Sequence, residues 1–386
     1  MRILHTADLH LGRHFAGRSL IDDHGAILDQ ILAAIADRAP DVLIIAGDVF
    51  DRAAPPESAV RQFNAFVRAV AGGTHTAIVI IAGNHDSGDR IGAMATLADG
   101  GRTLVRGPVS ADEPPLVLRD AAGPVAISAL PFSYEFAARE CFADPDIKTP
   151  ADVLSAQLAA ARHQVPAGAR WVVAAHTFVS GAEPTESERP LSRTVGGIET
   201  VPADVFAGAH YVALGHIHRP QAVGATHIRY AGAPLAFGFD EEGQEKSMTL
   251  VDLGPDSSVE IDLIPFRPLR HVRTLRGSLE ELLSGPDSPG SDDLIHVVLT
   301  DPARLVEPMK RIRERYPNAC SLIYERGLRS DTARAGPVGR SALDDPAALV
   351  SAFVELTRGT TPDAAEAAVV DSALAGLSTT DTEAAA

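Results

Sequence analysis

The chain has 386 residues, 45% hydrophobic and 22% charged, with a formal net charge of −17. That length and balance describe a soluble chain of two or three domains. Its two cysteines, Cys141 and Cys320, are far apart, which argues against a disulfide framework or a thiolate metal site.

No apolar run approaches membrane-spanning length, and the N-terminus has no signal-peptide core, so a cytoplasmic protein is expected. A net negative charge argues against nucleic acid as a partner, but its distribution does not. Residues 1–265 carry 20 basic and 33 acidic residues, and residues 342–386 carry 1 and 8. Residues 266–340, with 13 basic and 10 acidic, are the positive part. Three units follow from this: 1–265, 266–335, and a linker and tail over 336–386.

In chain order, Ile3–Ala7 reads as a strand ending at Asp8. Leu20–Arg38 has helical apolar spacing. Val42–Ala46 is a short apolar run, a strand buried on both faces, and it ends in Gly47-Asp48. Pro55-Pro56 opens a helix that runs to about Ala71. Thr76–Ala82 is another buried strand, ending in Gly83-Asn84-His85-Asp86. Strands alternating with helices predict an α/β layered domain.

Leu116–Arg119 and Val125–Ala129 read as strands, and Ala151–His163 as a helix. Trp171–Ala175 is a buried strand that ends at His176. The next 20 or so residues are polar and rich in Gly, Glu, Ser and Pro, a long loop of the kind often found beside a site. Tyr211–Leu214 is a strand ending in Gly215-His216-Ile217-His218.

Past Pro265 the pattern is strand, helix, strand, helix, strand: His271–Leu275, Leu279–Leu283, Leu294–Leu299, Ala303–Arg315 and Cys320–Tyr324. This is a compact α+β unit. The tail has 13 alanines over residues 342–386 and two amphipathic patches, Leu343–Leu356 and Asp363–Leu377. Such helices need an apolar surface to dock on.

Five strands therefore end in polar residues able to bind metal: Asp8-Leu9-His10, Gly47-Asp48, Gly83-Asn84-His85-Asp86, His176 and Gly215-His216-Ile217-His218. Strand ends gathered along one sheet edge would let these loops converge. Two carboxylates, an amide oxygen and several imidazoles make an N/O site without thiolate. Seven ligands are too many for one ion and suit two, with Asp48 the natural bridge. His14 is near enough to the first loop to touch substrate. The series Arg267, Arg270, Arg273 and Arg276 reads as a solvated strand face rather than a phosphate track.

The set Asp-x-His, Gly-Asp-x-x-Asp, Gly-Asn-His-Asp, a lone His and Gly-His-x-His resembles the calcineurin-like metallophosphoesterases. Three further stretches are similar to the nuclease subunits of bacterial double-strand-break repair complexes. They begin at Arg193 (Arg-Thr-Val-Gly-Gly-Ile-Glu-Thr-Val-Pro), Tyr211 (Tyr-Val-Ala-Leu-Gly-His-Ile-His-Arg-Pro-Gln) and Tyr230 (Tyr-Ala-Gly-Ala-Pro-Leu-Ala-Phe-Gly-Phe). The resemblance covers about residues 1–330.

It implies an α/β layered metallophosphoesterase core, an α+β capping domain that contacts DNA, and a helical partner-binding tail. It implies two divalent ions, manganese by preference. Asp8, His10, Asp48 and His218 would hold the first, and Asp48, Asn84, His176 and His216 the second. His85 would be the catalytic histidine, oriented by Asp86, protonating the leaving oxygen. The implied activity is metal-dependent hydrolysis of phosphodiesters at DNA ends, in single strands and in hairpins, in DNA repair and recombination at the nucleoid. No P-loop is present, so any ATP dependence would come from an ATPase partner subunit. A homodimer is left open.

Two other readings compete. A small-molecule phosphodiesterase or phosphatase would explain the ligands but not the 266–340 unit or the tail. A partner-binding subunit with a structural metal would not explain His85.

Overall fold

The computed structural model describes residues 1–97, 101–112, 114–188, 200–285, 292–325, 345–358 and 360–383. The chain divides into two units, Met1–Ile323 and Tyr324–Ala386. The first opens with β1 (Arg2–Thr6), the short hairpin β2 (His14–Phe15) and β3 (Arg18–Ser19), α1 (Ile21–Arg38), β4 (Val42–Ala46), α2 (Glu57–Gly73) and β5 (Ala77–Ile81). It continues with α3 (Gly88–Ala93), β6 (Thr103–Arg106), β7 (Leu116–Asp120), β8 (Gly123–Leu130), α4 (Glu135–Phe142), α5 (Pro150–Gln164) and β9 (Arg170–His176). Then come β10 (Tyr211–Gly215), β11 (Gln221–Val223), β12 (Ala225–Tyr230), β13 (Ser247–Leu253) and β14 (Val259–Pro265).

Two six-stranded mixed sheets form, ordered β14-β13-β1-β4-β5-β6 and β11-β12-β10-β9-β8-β7. Strands β1, β4, β5 and β6 are parallel, as are β8, β9, β10 and β12. The period-2 alternation of a strand explains the layering. In β4, Val42, Ile44 and Ala46 face the second sheet and pack with Val172, Ala174 and Ala213. Leu43 and Ile45 face the other way, onto Ile27, Ile31 and Phe63 of α1 and α2. The outer face of the second sheet is covered by α5 through Leu154 and Leu158. Helix, sheet, sheet and helix stack in that order.

Past Pro265, β15 (Val272–Gly277), α6 (Leu279–Ser284), β16 (Leu294–Leu299), α7 (Pro308–Arg315) and β17 (Ala319–Tyr324) form a three-stranded sheet ordered β15-β16-β17 with two helices. Helix α7 starts five residues later than its sequence pattern suggests. Pro308 sits in the first turn and Glu307 before it is left-handed, so the chain cannot enter the helix earlier. Phe266, Val272 and Leu294 join the core beneath α1, so this unit is rooted in the larger domain.

Arg270 is half-buried and not part of a solvated face. It clasps the buried Asp23 of α1 through its Nε and Nη2. Arg273 pairs with Asp293.

The second unit holds α8 (Pro346–Arg358) and α9 (Ala364–Glu383). Phe353 and Val369 are exposed. Leu343 and the 336–339 linker lie outside the described residues.

Candidate metal centre

Residues at the site follow directly from strands: Asp8 and His10 after β1, Asp48 after β4, Asn84 and His85 after β5, His176 at the end of β9, and His216 and His218 after β10. The first five come from one sheet and the last three from the other. Convergence therefore needs both sheets, not the one edge expected from the sequence.

The backbone around these residues is unusual. Asp8, His10, Asp48 and His216 all have positive φ, at 53°, 45°, 48° and 103°. Such conformations cost about 1–3 kcal/mol each for residues with a Cβ, and they cluster at functional sites. The adjoining glycines are required by space. A Cβ on Gly83 would meet Asp48 Oδ1 at 2.2 Å, and one on Gly215 would meet the Ala46 carbonyl at 1.9 Å.

The side chains form one connected group. His10 Nε2 faces His218 Nε2 at 3.1 Å. Asp48 Oδ2 lies 3.5 Å from His176 Nε2, 3.6 Å from His10 Nε2 and 4.0 Å from His85 Nε2. Asn84 Oδ1 is 2.9 Å from His176 Nε2 and 3.2 Å from His216 Nδ1. Asp8 accepts the His216 backbone N–H at 3.0 Å. Ligand atoms of Asp8, His10 and His218 lie within 4.8 Å of one another, as do those of Asp8, Asp48 and His176. All seven residues proposed as ligands from sequence are thus brought together, with His85 beside them.

Electrostatics fit a cation. Burial, then the Asp48 charge, pushes the Asp8 carboxyl well above its ordinary range. Burial holds His10, His216 and His218 well below theirs, and His176 at about 4. The imidazoles are therefore neutral, as ligation requires, while a divalent ion would relieve the crowded carboxylates. Two ring nitrogens at 3.1 Å also suit a shared cation, and His10 Nδ1 is buried without a hydrogen-bond partner. The donor set fits divalent metal.

Several neighbours have parts here that the sequence did not assign to them. Asp51 aims its carboxylate at His10 Nδ1, 3.7 Å away, and bonds Arg13 at 3.2 Å. Its backbone carbonyl meets His85 Nδ1 at 2.8 Å. Asp51 thus orients His85, a part expected of Asp86 from the sequence. Asp86 instead accepts the Val49, Phe50 and Gly83 N–H groups, which tie the β4 and β5 turns together. Burial, then Asp48, raises Asp86 to about 7.

Ser187 and Glu188 arrive from the loop after β9. Ser187 Oγ is 2.6 Å from His218 Nδ1, and Glu188 accepts the His218 N–H at 2.7 Å. Apart from the loop's length, nothing in the sequence marks them. The 193–199 stretch of the same loop, whose motif contributed to the resemblance, lies outside the described residues.

A cleft of about 400 Å³ opens beside the cluster. Arg13, His14, Asp51, His85, Ser187 and Glu188 line it. His14 therefore stands where substrate can reach it.

Buried carboxylates and imidazoles at the mouth of a two-sheet sandwich are the working parts of a metal-dependent phosphoesterase. The model for the calcineurin-like phosphoesterases matches residues 1–220. A second, the SbcD C-terminal model described as the Type 5 capsule protein repressor C-terminal domain, matches residues 265–358. The SbcD subunit of the nuclease SbcCD from Bacillus subtilis (strain 168) is 36% identical over 334 residues, which cover 82% of this chain and 84% of that protein. The chain belongs to this SbcD family of calcineurin-like phosphoesterases.

Among solved structures, TT1561 of Thermus thermophilus is 15% identical with a TM-score of 0.39, over 68% of this chain and 98% of that one. GAP50 from the inner membrane complex of Plasmodium is 10% identical with a TM-score of 0.39, over 69% and 84%. At these scores neither bears on what the chain does.

Proposed function

We propose that the chain is the nuclease subunit of an SbcCD-type complex, hydrolysing phosphodiesters at DNA ends and in single strands or hairpins. The observation that carries this reading is the connected cluster of seven N/O donors, Asn84 and His216 joined to it through His176 and Asp8, beside a cleft that also holds His85. Identity of 36% to an SbcCD nuclease subunit across most of both chains supports the substrate class.

Asp8, His10, Asp48 and His218 would hold one divalent ion, and Asp48, Asn84, His176 and His216 a second. Manganese is the ion proposed. Once bound, such a pair supplies Lewis-acid stabilisation of phosphoryl oxygens and an activated water. Asp48 suits the shared position because one of its oxygens faces ring nitrogens of His10 and His176 at 3.6 and 3.5 Å.

The protein's own residues do the rest. His85 points Nε2 toward the cluster with its Nδ1 tied to the Asp51 carbonyl. That bond fixes Nδ1 as the N–H, so Nε2 exchanges the proton, to be delivered to the leaving 3′-oxygen. Arg13, stacked on Phe237 at 4.6 Å, supplies a positive edge to the same cleft.

The 266–335 unit would cap the site and contact the DNA backbone, because it is the positive part of an acidic chain. The tail over 336–386 would dock an SbcC-type ATPase. Among the described residues no helix is long and apolar enough to cross a membrane.

The test is Mn²⁺-dependent digestion of an end-labelled duplex, with and without the ATPase partner, by wild type and His85→Gln. His85→Gln should keep DNA binding and both metals while cleavage slows by roughly 10²–10⁴-fold. A variant that binds one metal fewer would make His85 a ligand and place the proton donor elsewhere. A wild-type protein that hydrolyses small phosphodiesters but no DNA would favour the small-molecule reading.

A further inference from the structure

A buried polar chain runs from Lys246 to His218. Lys246 is 7% exposed and Glu241 1%, and Lys246 Nζ meets Glu241 Oε2 at 2.5 Å. Lys246 also donates to the His218 carbonyl at 2.9 Å and to Gln244 Oε1 at 3.2 Å. Glu241 Oε1 accepts the Phe237 N–H at 3.0 Å and the Ser187 hydroxyl at 2.7 Å. Ser187 Oγ in turn lies 2.6 Å from His218 Nδ1 and 3.0 Å from Thr185 Oγ1.

An ionised carboxylate only accepts, so the single Ser187 hydroxyl proton points at Glu241. Thr185 sends its own proton to Glu188 at 2.8 Å. Ser187 oxygen then has only lone pairs to offer His218, so His218 Nδ1 must be the donor. The proton is thereby held on Nδ1, and Nε2, which faces His10 Nε2, keeps its lone pair for a metal.

The same pair also fixes the ring by packing. Phe237, whose N–H Glu241 holds, sets its ring 5.6 Å from His218 and 5.2 Å from His10 in edge contacts. A buried Lys–Glu pair adds little net stability over an apolar pair of similar volume. Its placement here serves orientation.

We infer that Ser187 and the buried Glu241–Lys246 pair are positioning residues for the metal held by His218: they set its tautomer and ring orientation, and the loop after β9 is thereby linked to the affinity of that one ion. The inference rests on the reading of His218 as a ligand.

Titrating Mn²⁺ by calorimetry into the full chain, without DNA or partner, tests it. Ser187 is half-buried on a loop, so Ser187→Ala should fold. It should weaken one of the two Mn²⁺ sites by about 10–100-fold and leave the other at wild-type affinity. Ser187→Thr, which keeps the hydroxyl, should restore the weakened site, as a merely structural role would not require. The double variant Glu241→Gln with Lys246→Met, which removes both charges together, should weaken the same site as Ser187→Ala.

If His218→Ala loses a site while Ser187→Ala keeps both at wild-type affinity, the positioning claim is overturned and the ligand reading stands. If His218→Ala itself keeps both sites, the ligand reading fails instead. If Ser187→Ala weakens both sites equally, the effect is a general loosening of the loop and the link to one ion is wrong.

Discussion

Gly83→Ala tests whether the metal centre is held by steric exclusion between the β4 and β5 turns. A Cβ at residue 83 would stand 2.2 Å from Asp48 Oδ1 and 2.3 Å from Asp48 N, where ordinary contact begins at 3.4 Å. The two turns must separate by about 1.2 Å, the difference between 3.4 and 2.2 Å. Neither turn is free to move. Asp86 ties Gly83 to Val49 and Phe50, and the His85 N–H holds Asp48 Oδ1 at 2.8 Å.

Overpacking of this kind costs about 1–3 kcal/mol, roughly 2–5 °C in Tm for a unit of this size. That leaves the protein folded. A displacement of about 1 Å at a reacting group costs roughly 10²-fold in rate. Gly83→Ala should therefore bind Mn²⁺ weakly and cleave bis(p-nitrophenyl) phosphate about 10²-fold more slowly, with a small Tm change.

Gly72→Ala is the control. A Cβ there meets nothing within 4 Å, and the residue lies in the last turn of α2, so the change should alter stability by no more than about 0.5 kcal/mol and leave activity alone. A Gly83→Ala protein with wild-type metal stoichiometry and rate would show that the close approach of the two turns does not hold the site.

Asp48→Ala should lose both Mn²⁺ ions together, whereas Asp8→Ala should mainly weaken one; calorimetric stoichiometry decides, and two ions retained by Asp48→Ala would end the bridging claim. Metal affinity should rise with pH, and the protons released should come from carboxylates. Folded His176 is neutral above about 4, so at neutral pH it has no proton to lose, whereas burial, then the Asp48 charge, raises the Asp8 carboxyl, so a proton that the ion displaces leaves a carboxylate. Calorimetry in two buffers of different ionisation enthalpy, repeated from acid to neutral pH, measures that release, and an affinity that does not rise with pH would contradict it. Truncation after Ser341 should leave cleavage of a small diester intact, since every proposed ligand precedes residue 220, and should abolish co-purification with an SbcC-type ATPase. Full-length affinity in the truncated chain would move the docking surface elsewhere, to the 266–335 unit.

What the sequence determined by itself is the set of strands and the polar residue that ends each. Short apolar runs such as Val42–Ala46 and Trp171–Ala175 can only be strands covered on both faces, and they are. The glycines beside the proposed ligands were also legible as turns, since Gly47 has a φ of 92°. Tertiary structure decided everything that depends on which loops meet. Two sheets, not one edge, bring His176 and His218 onto Asp48 and His10, because ligand distance across a sandwich is set by the packing of Ile44 and Ala46 against Ala174 and Ala213. It replaced Asp86 with Asp51 as the partner of His85, because a carboxylate three residues past Gly83 folds back onto the turn's own N–H groups. It also turned Arg270 from a surface charge into the half-buried partner of the buried Asp23. Ser187, Glu241 and Lys246 have no local pattern at all. Their meaning lies in contacts between residues up to 54 positions apart, which hydrophobic periodicity cannot encode.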